Sequence, residues 1–182
     1  MAEPIKVSVS QIRMFNRCEY NWWYTYGPMK RRSPGSDATW LGSVVHLALE
    51  EYMLGRGIPT PEKLSELMLE DRNLKDLSEK KRTTLARKAL KISSVDLDKL
   101  PEPGTMEIEA SLDVPCGPAV MTCRIDMMSD GYIGDHKTTS NLSWAKSSVE
   151  VRHDVQLKTY AYAAFHKDPP KEVTVELLYR TT

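Results

Sequence analysis

The chain has 182 residues, 41% hydrophobic and 27% charged, and its Lys+Arg 25 are balanced by Asp+Glu 25. That is enough apolar material for the core of one domain; it excludes intrinsic disorder and a polycation that grips nucleic acid through its overall charge. Any nucleic-acid contact must therefore come from a local patch.

No apolar run approaches the roughly 20 residues of a membrane span. Met1-Ala2-Glu3-Pro4-Ile5-Lys6 lacks the apolar stretch of a signal peptide. A cytoplasmic protein with no membrane partner is the expectation. Cys18, Cys116 and Cys123 form neither a disulfide framework nor a CxxC metal pair. All three are expected to be reduced packing residues, Cys18 in an apolar helix and the other two in or near a strand pair.

The first helix is expected to start at Ser8-Val9-Ser10-Gln11, with Ser8 and Gln11 at capping-box spacing or Ser10 as the cap. Ile12, Phe15, Cys18, Trp22 and Tyr26 recur at helical spacing until Gly27-Pro28 stops it. Lys30 to Ser36 reads as a basic turn. A second helix is expected from Asp37 to Leu54, with Leu41, Val45, Ala48 and Tyr52 as its stripe. Pro61 suits the first position of a third. A long amphipathic helix is expected from Asp76 to Leu100, with Leu77, Leu85, Ala89, Ile92 and Val95 inward and Lys80, Lys81, Arg82, Arg87, Lys88 and Lys91 as a basic face. Pro101-Glu102-Pro103-Gly104 ends this helical lobe of residues 1–100.

Beyond that break the period changes to two. Ile108, Ala110, Leu112 and Val114 alternate with Glu107, Glu109, Ser111 and Asp113, and Cys116-Gly117-Pro118 turns the chain into a strand from Ala119 to Met128. Asp130-Gly131 is a favoured hairpin turn, returning as a strand from Tyr132 to Lys137. A helix from about Val149 to His166 and a last strand from Glu172 to Tyr179 follow. The predicted class is α+β: a mixed sheet with flanking helices and an N-terminal helical lobe.

The hairpin carries the most pointed chemistry. If Asp130 and Gly131 are the loop, Ser129 pairs with Tyr132 and Asp126 falls opposite Asp135, with Cβ atoms about 4.5–5.5 Å apart. Lys137 points to the same side. Two like charges so close call for a cation, and a hard divalent ion with a lysine beside it answers that. The alternative is a solvated polar strand face on which Lys137 or Arg124 neutralises the acids. His46, mid-helix with Gly42 one turn before and Glu50 one turn after, reads either as a ligand or as a hydrogen-bonded core histidine. Arg152, Gln156 and Tyr160 share one helix face at i, i+4, i+8, beside a Val155, Tyr162 and Phe165 stripe; they read as nucleic-acid contacts or as a polar rim.

In order, these pieces resemble the RecB-type branch of the PD-(D/E)XK nuclease superfamily. Ser8-Val9-Ser10-Gln11-Ile12 to Phe15 and Cys18 is similar to its opening helix, and Gly42-Ser43-Val44-Val45-His46 to its GxxxH helix. Arg124-Ile125-Asp126, Asp135-His136-Lys137-Thr138 and Gln156-Leu157-Lys158-Thr159-Tyr160 resemble its acid strand, D-x-K-T core and QxxxY helix. The likeness spans about Val7 to Tyr179. It implies one nuclease domain over residues 1–182 with a restriction-endonuclease-like core in residues 101–182.

The resemblance implies a metal-dependent DNA nuclease, an exonuclease by preference, in DNA processing, recombination or repair. His46, Asp126, Asp135 and the His136 backbone carbonyl would hold one or two Mg²⁺ or Mn²⁺ ions, and Lys137 would act on the attacking water. Gln156, Tyr160 and Arg152 would meet single-stranded or duplex DNA, with Glu109 and Glu50 behind the ligands. The basic helix and Lys30-Arg31-Arg32 would grip phosphates, and Tyr20, Trp22, Trp23, Tyr24 and Tyr26 would stack bases or pack under the lobe. No cysteine follows Cys123, so the iron–sulfur cluster of some relatives is not expected. The chain stops at Thr182 just after a predicted strand, where many relatives continue, so a compact form and a fragment both stay open. A non-catalytic DNA-binding module, or a subunit active only with a helicase or CRISPR-adaptation partner, are the competing readings.

Overall fold

The period-2 half of the chain forms the sheet that its patterning predicts. A computed structural model describes residues 4–28 and 35–182. Its strands are β1 (Ile5–Ser8), β2 (Glu107–Cys116), β3 (Ala119–Ser129), β4 (Tyr132–Thr139) and β5 (Thr174–Thr181). The order is β1-β3-β4-β5, with β2 also paired to β3. Ser129 pairs with Tyr132 and Met127 with Gly134, the register counted from an Asp130-Gly131 turn. Gly131 takes φ 70, and a Cβ there would lie 3.0 Å from the Glu172 carbonyl oxygen. Only glycine suits both demands.

The opening segment differs from expectation. Ile5–Ser8 is a strand, parallel to β3 with Ile5 against Ala119 and Ser8 against Thr122. Helix α1 (Val9–Arg17) starts directly after it, and Ser8 and Gln11 form a reciprocal capping box. The single helix predicted to Tyr26 is two: extended backbone at Cys18 (φ −165) separates α1 from α2 (Glu19–Tyr26). Cys18 and Cys116 are exposed and only Cys123 is buried, so two of the three expected packing cysteines face water.

The remaining helices are α3 (Asp37–Glu51), α4 (Pro61–Glu70), α5 (Glu79–Ser93), α6 (Ser148–Arg152) and α7 (Val155–Phe165). Pro61 sits at the start of α4 as predicted, with Thr60 accepting from the Lys63 amide. Helix α5 is shorter than the predicted 76–100: Ser78 caps its start, Ser94 closes its end, and Asp96 just beyond takes the left-handed region (φ 54). Val95, expected inward, is exposed. The Lys30-Arg31-Arg32 turn lies outside the described residues. None of the described helices is long and apolar enough to cross a membrane.

Two compact units interleave along the chain. The first holds the described residues of Met1–Pro34, Glu109–Gly134 and Lys146–Glu176; the second holds Gly35–Ile108, Asp135–Ala145 and Leu177–Thr182. In the second, Val44, Val45, Ala48 and Leu49 of α3 pack with Leu64 and Met68 of α4 and Leu85, Ala86 and Ala89 of α5, all at most 3% exposed. Each fully buried Val, Leu or Met side chain of this cluster contributes about 1.5–3 kcal/mol. In the first unit, α1 packs on α7 and α7 on β3.

One break in the first unit decides where side chains point. Asp154 is the N-cap of α7: its Oδ1 accepts from the Leu157 amide at 3.1 Å, and its Oδ2 pairs with Lys146. That cap ends α6 at Arg152 and resets the helical phase. The face buried on α7 is consequently Leu157, Tyr160, Ala163 and Phe165, while Val155 and Tyr162 of the predicted stripe are exposed. Asp154→Ala should lower stability by about 1–3 kcal/mol, and Asp154→Asn, which keeps the cap, by less. Urea denaturation measures both; equal losses would show that the ion pair, not the cap, matters.

Candidate functional site

The acids of the first unit come from two neighbouring strands. Glu109 on β2 and Asp126 on β3 are each half-buried, and each offers a carboxylate oxygen within 4.8 Å of the other's. Arg124 of β3 donates from Nε to Glu109 Oε2. Glu109 stands at φ 53, one of two described non-glycine residues in the left-handed region. That backbone breaks the alternation of β2 and brings its side chain to 15% exposure instead of out to water. A left-handed residue with a Cβ costs about 1–2 kcal/mol, and such strain persists where the surroundings over-determine it. From the alternation alone Glu109 is an outward-facing acid, and the resemblance sets it behind the ligands; its backbone conformation has no signal in an alternating pattern.

The second unit holds Asp135, His136, Lys137, His46 and Glu50. Asp135, His136 and Lys137 are consecutive on β4. Asp135 is 2% exposed and forms an ion pair with Lys137, whose side chain remains 36% exposed. A carboxylate buried to that degree is not part of a solvated strand face. His46 on α3 lies with its ring centroid 6.0 Å from that of His136, the planes at 83°. Gly42, one turn earlier, explains the approach: a Cβ there would stand 3.0 Å from Thr138 Oγ1 of β4. Glycine at this position lets α3 close on the strand, and His46 is carried in one turn later. Burial pushes the His136 imidazole down to about 3, with the charges of His46, Arg180 and Lys137 adding to the effect, so the ring stays neutral. Glu50 is half-buried on α3.

Of the predicted DNA-contacting trio, Gln156 and Tyr160 share a face of α7, whereas Arg152 ends α6 and is exposed. Gln156 Nε2 donates to the Tyr160 hydroxyl at 2.9 Å, and Arg13 Nη1 of α1 donates to Gln156 Oε1 at 3.1 Å. Tyr160 is 8% exposed. A ring so buried braces its neighbours and has no free face on which a base can stack. Arg13 was not singled out by sequence, because its partner lies far along the chain. On α2, Tyr20, Trp23 and Tyr24 are exposed and Trp22 and Tyr26 half-buried.

The donor set suits a hard divalent cation. Carboxylate oxygens dominate it, and two acids within 4.8 Å repel unless positive charge offsets them. Replacing Glu109 separates backbone from chemistry. Glu109→Gly and Glu109→Ala remove the same carboxylate, but only glycine relieves φ 53. The glycine variant should unfold about 1 kcal/mol later than the alanine variant in urea; identical midpoints would mean that the residue is unstrained.

A family model described as the PD-(D/E)XK nuclease superfamily matches residues 6–181. Among solved structures, the chain is similar to a crystal structure from Eubacterium rectale provisionally described as an exonuclease. The TM-score is 0.59 at 14% identity, over 94% of this chain and 66% of that one. At that identity the likeness speaks to fold, which is the restriction-endonuclease-like mixed sheet with flanking helices. No curated protein matches the chain.

Proposed function

The chain belongs to the PD-(D/E)XK nuclease superfamily, and from this premise we propose that it is a metal-dependent deoxyribonuclease working as one domain, an exonuclease at DNA ends. The observation that carries the metal dependence is the Glu109–Asp126 pair, two carboxylates within 4.8 Å on neighbouring strands. His46, Asp126, Asp135 and the His136 backbone carbonyl are the proposed ligands, with Glu109 joining them. One imidazole among oxygens favours Mn²⁺ more than an all-oxygen set would, while Mg²⁺ remains accommodated.

An ion held there would supply Lewis acidity, lowering the pKa of water and offsetting charge on the phosphate. The Lys137 ammonium, held by Asp135 on one side and partly open on the other, donates a hydrogen bond to the attacking water and steadies the negative charge that develops. Water oxygen bonds to phosphorus as the bond to the 3′-oxygen breaks; the proton lost by the water passes to solvent, and solvent protonates the departing 3′-oxygen. The neutral His136 side chain adds no cation to compete for the acids. Gln156 fixes Tyr160 on one side and Arg13 on the other, keeping the α1–α7 pair rigid behind the substrate path.

End-labelled single- and double-stranded oligonucleotides test this directly. The parent protein should shorten them from an end in Mn²⁺ or Mg²⁺ and stop with chelator. Asp135→Ala should lose at least about 100-fold in rate, and Lys137→Ala about 10²–10³-fold in kcat with DNA binding little changed. His46→Ala should weaken Mn²⁺ more than Mg²⁺. An Asp135→Ala protein that cleaves at the parent rate sinks the site assignment. Parent protein that binds DNA and never cuts it in either metal sinks the catalytic reading.

A further inference from the structure

Within the second unit, and outside the proposed metal ligands, lies a cavity of about 260 Å³. Leu100, Leu142 and Leu177 form part of its apolar wall, and Asp96, Lys99 and Arg180 are its charged groups. Arg180 is 8% exposed. Its Nη1 donates to the Val95 carbonyl, and its fully buried Nε has no acceptor among the described residues. A guanidinium carries five N–H donors, so one backbone carbonyl leaves it poorly served. Burying a cation in that state is costly unless an anion stands beside it.

Asp96 acts on Arg180 through its charge but forms no ion pair with it. Asp96 pairs with Lys99 at 3.0 Å, and no carboxylate pairs with Arg180 among the described residues. Asp96 also takes φ 54, the second strained non-glycine residue, directly after the carbonyl that Arg180 grips. The fold thus holds an unfavourable backbone next to an under-satisfied buried cation, on the wall of a cavity near the small end of the ligand-pocket range. Lys99, 69% exposed at its side chain, adds positive charge where a ligand would enter.

We propose that this cavity binds a small organic anion, its phosphate or carboxylate head toward Arg180 and its apolar or planar body against the leucines. The head group can arrive on a deoxynucleoside monophosphate or on an unrelated carboxylic acid. The proposal does not depend on the nuclease reading, since the anion binds without a metal ion.

Thermal unfolding of the full chain in chelator, with millimolar deoxyadenosine monophosphate, benzoate, deoxyadenosine, benzamide or inorganic phosphate, tests it. The expected result is a concentration-dependent rise in Tm with one or both organic anions and none with their neutral counterparts. A response to the nucleotide alone assigns that source, and one to benzoate alone assigns the carboxylic acid. Arg180→Met should weaken binding by at least about tenfold. Leu142→Glu should do the same without disturbing the fold, because Leu142 is 55% exposed and its replacement sets a carboxylate at the cavity wall. No rise with either organic anion overturns the proposal, as does a rise with inorganic phosphate only. A rise that survives unchanged in Leu142→Glu places the ligand elsewhere and overturns it too.

Discussion

Two carboxylates within 4.8 Å of one another repel, and the first unit holds Glu109 and Asp126 at that separation on strands β2 and β3. Such an arrangement lowers stability unless positive charge is supplied. The chain supplies part of it locally, with Arg124 on Glu109 and, in the second unit, Lys137 on the buried Asp135. Glu109 holds its place through a left-handed backbone that a residue with a Cβ rarely adopts. Acidity and strain collected on the same few strand residues are what a sheet built only for stability would shed. Their retention supports the divalent-ion site proposed above.

The surrounding structure is arranged to keep these groups still. In the second unit, a tight aliphatic core on α3, α4 and α5 fixes the helix that bears His46, and the bare backbone of Gly42 admits that helix to β4. In the first, the Asp154 cap sets the phase of α7 and so decides that Tyr160 is buried and Val155 is not. Gln156 then links α7 to α1 through Arg13. Each of these contacts joins regular elements, which hold side chains more firmly than loops do.

Much of this was legible in the residues, for physical reasons. Period-2 alternation and the Asp130-Gly131 turn gave β2, β3 and β4, together with the Ser129–Tyr132 register. The capping box at Ser8 and Gln11 and the proline at position 61 marked helix starts, because orphan amides need acceptors at fixed offsets. What stayed hidden depended on distance or on competition. Strand β1 exists because four residues pair with β3 far along the chain, and no local pattern records that. The breaks at Cys18 and Asp154 interrupt apolar periodicity that runs on through both positions: extended backbone at Cys18 and a side-chain cap at Asp154 overrode the stripe. The value of Glu109 rests on a single dihedral angle, and the Arg180 cavity on residues from α5 to β5 that no spacing brings to notice.

The most direct measurement is an anomalous-difference map from crystals soaked in Mn²⁺, collected above the manganese absorption edge. The expected result is a peak, single or paired, ligated by the carboxylates of Asp126 and Asp135 and the imidazole of His46, with Glu109 in reach. Crystals of the Asp126→Ala protein grown in the same way should lose it. Manganese bound only at other acids, or at none, with all four side chains ordered, would contradict the assignment of this chain as a metal-dependent nuclease.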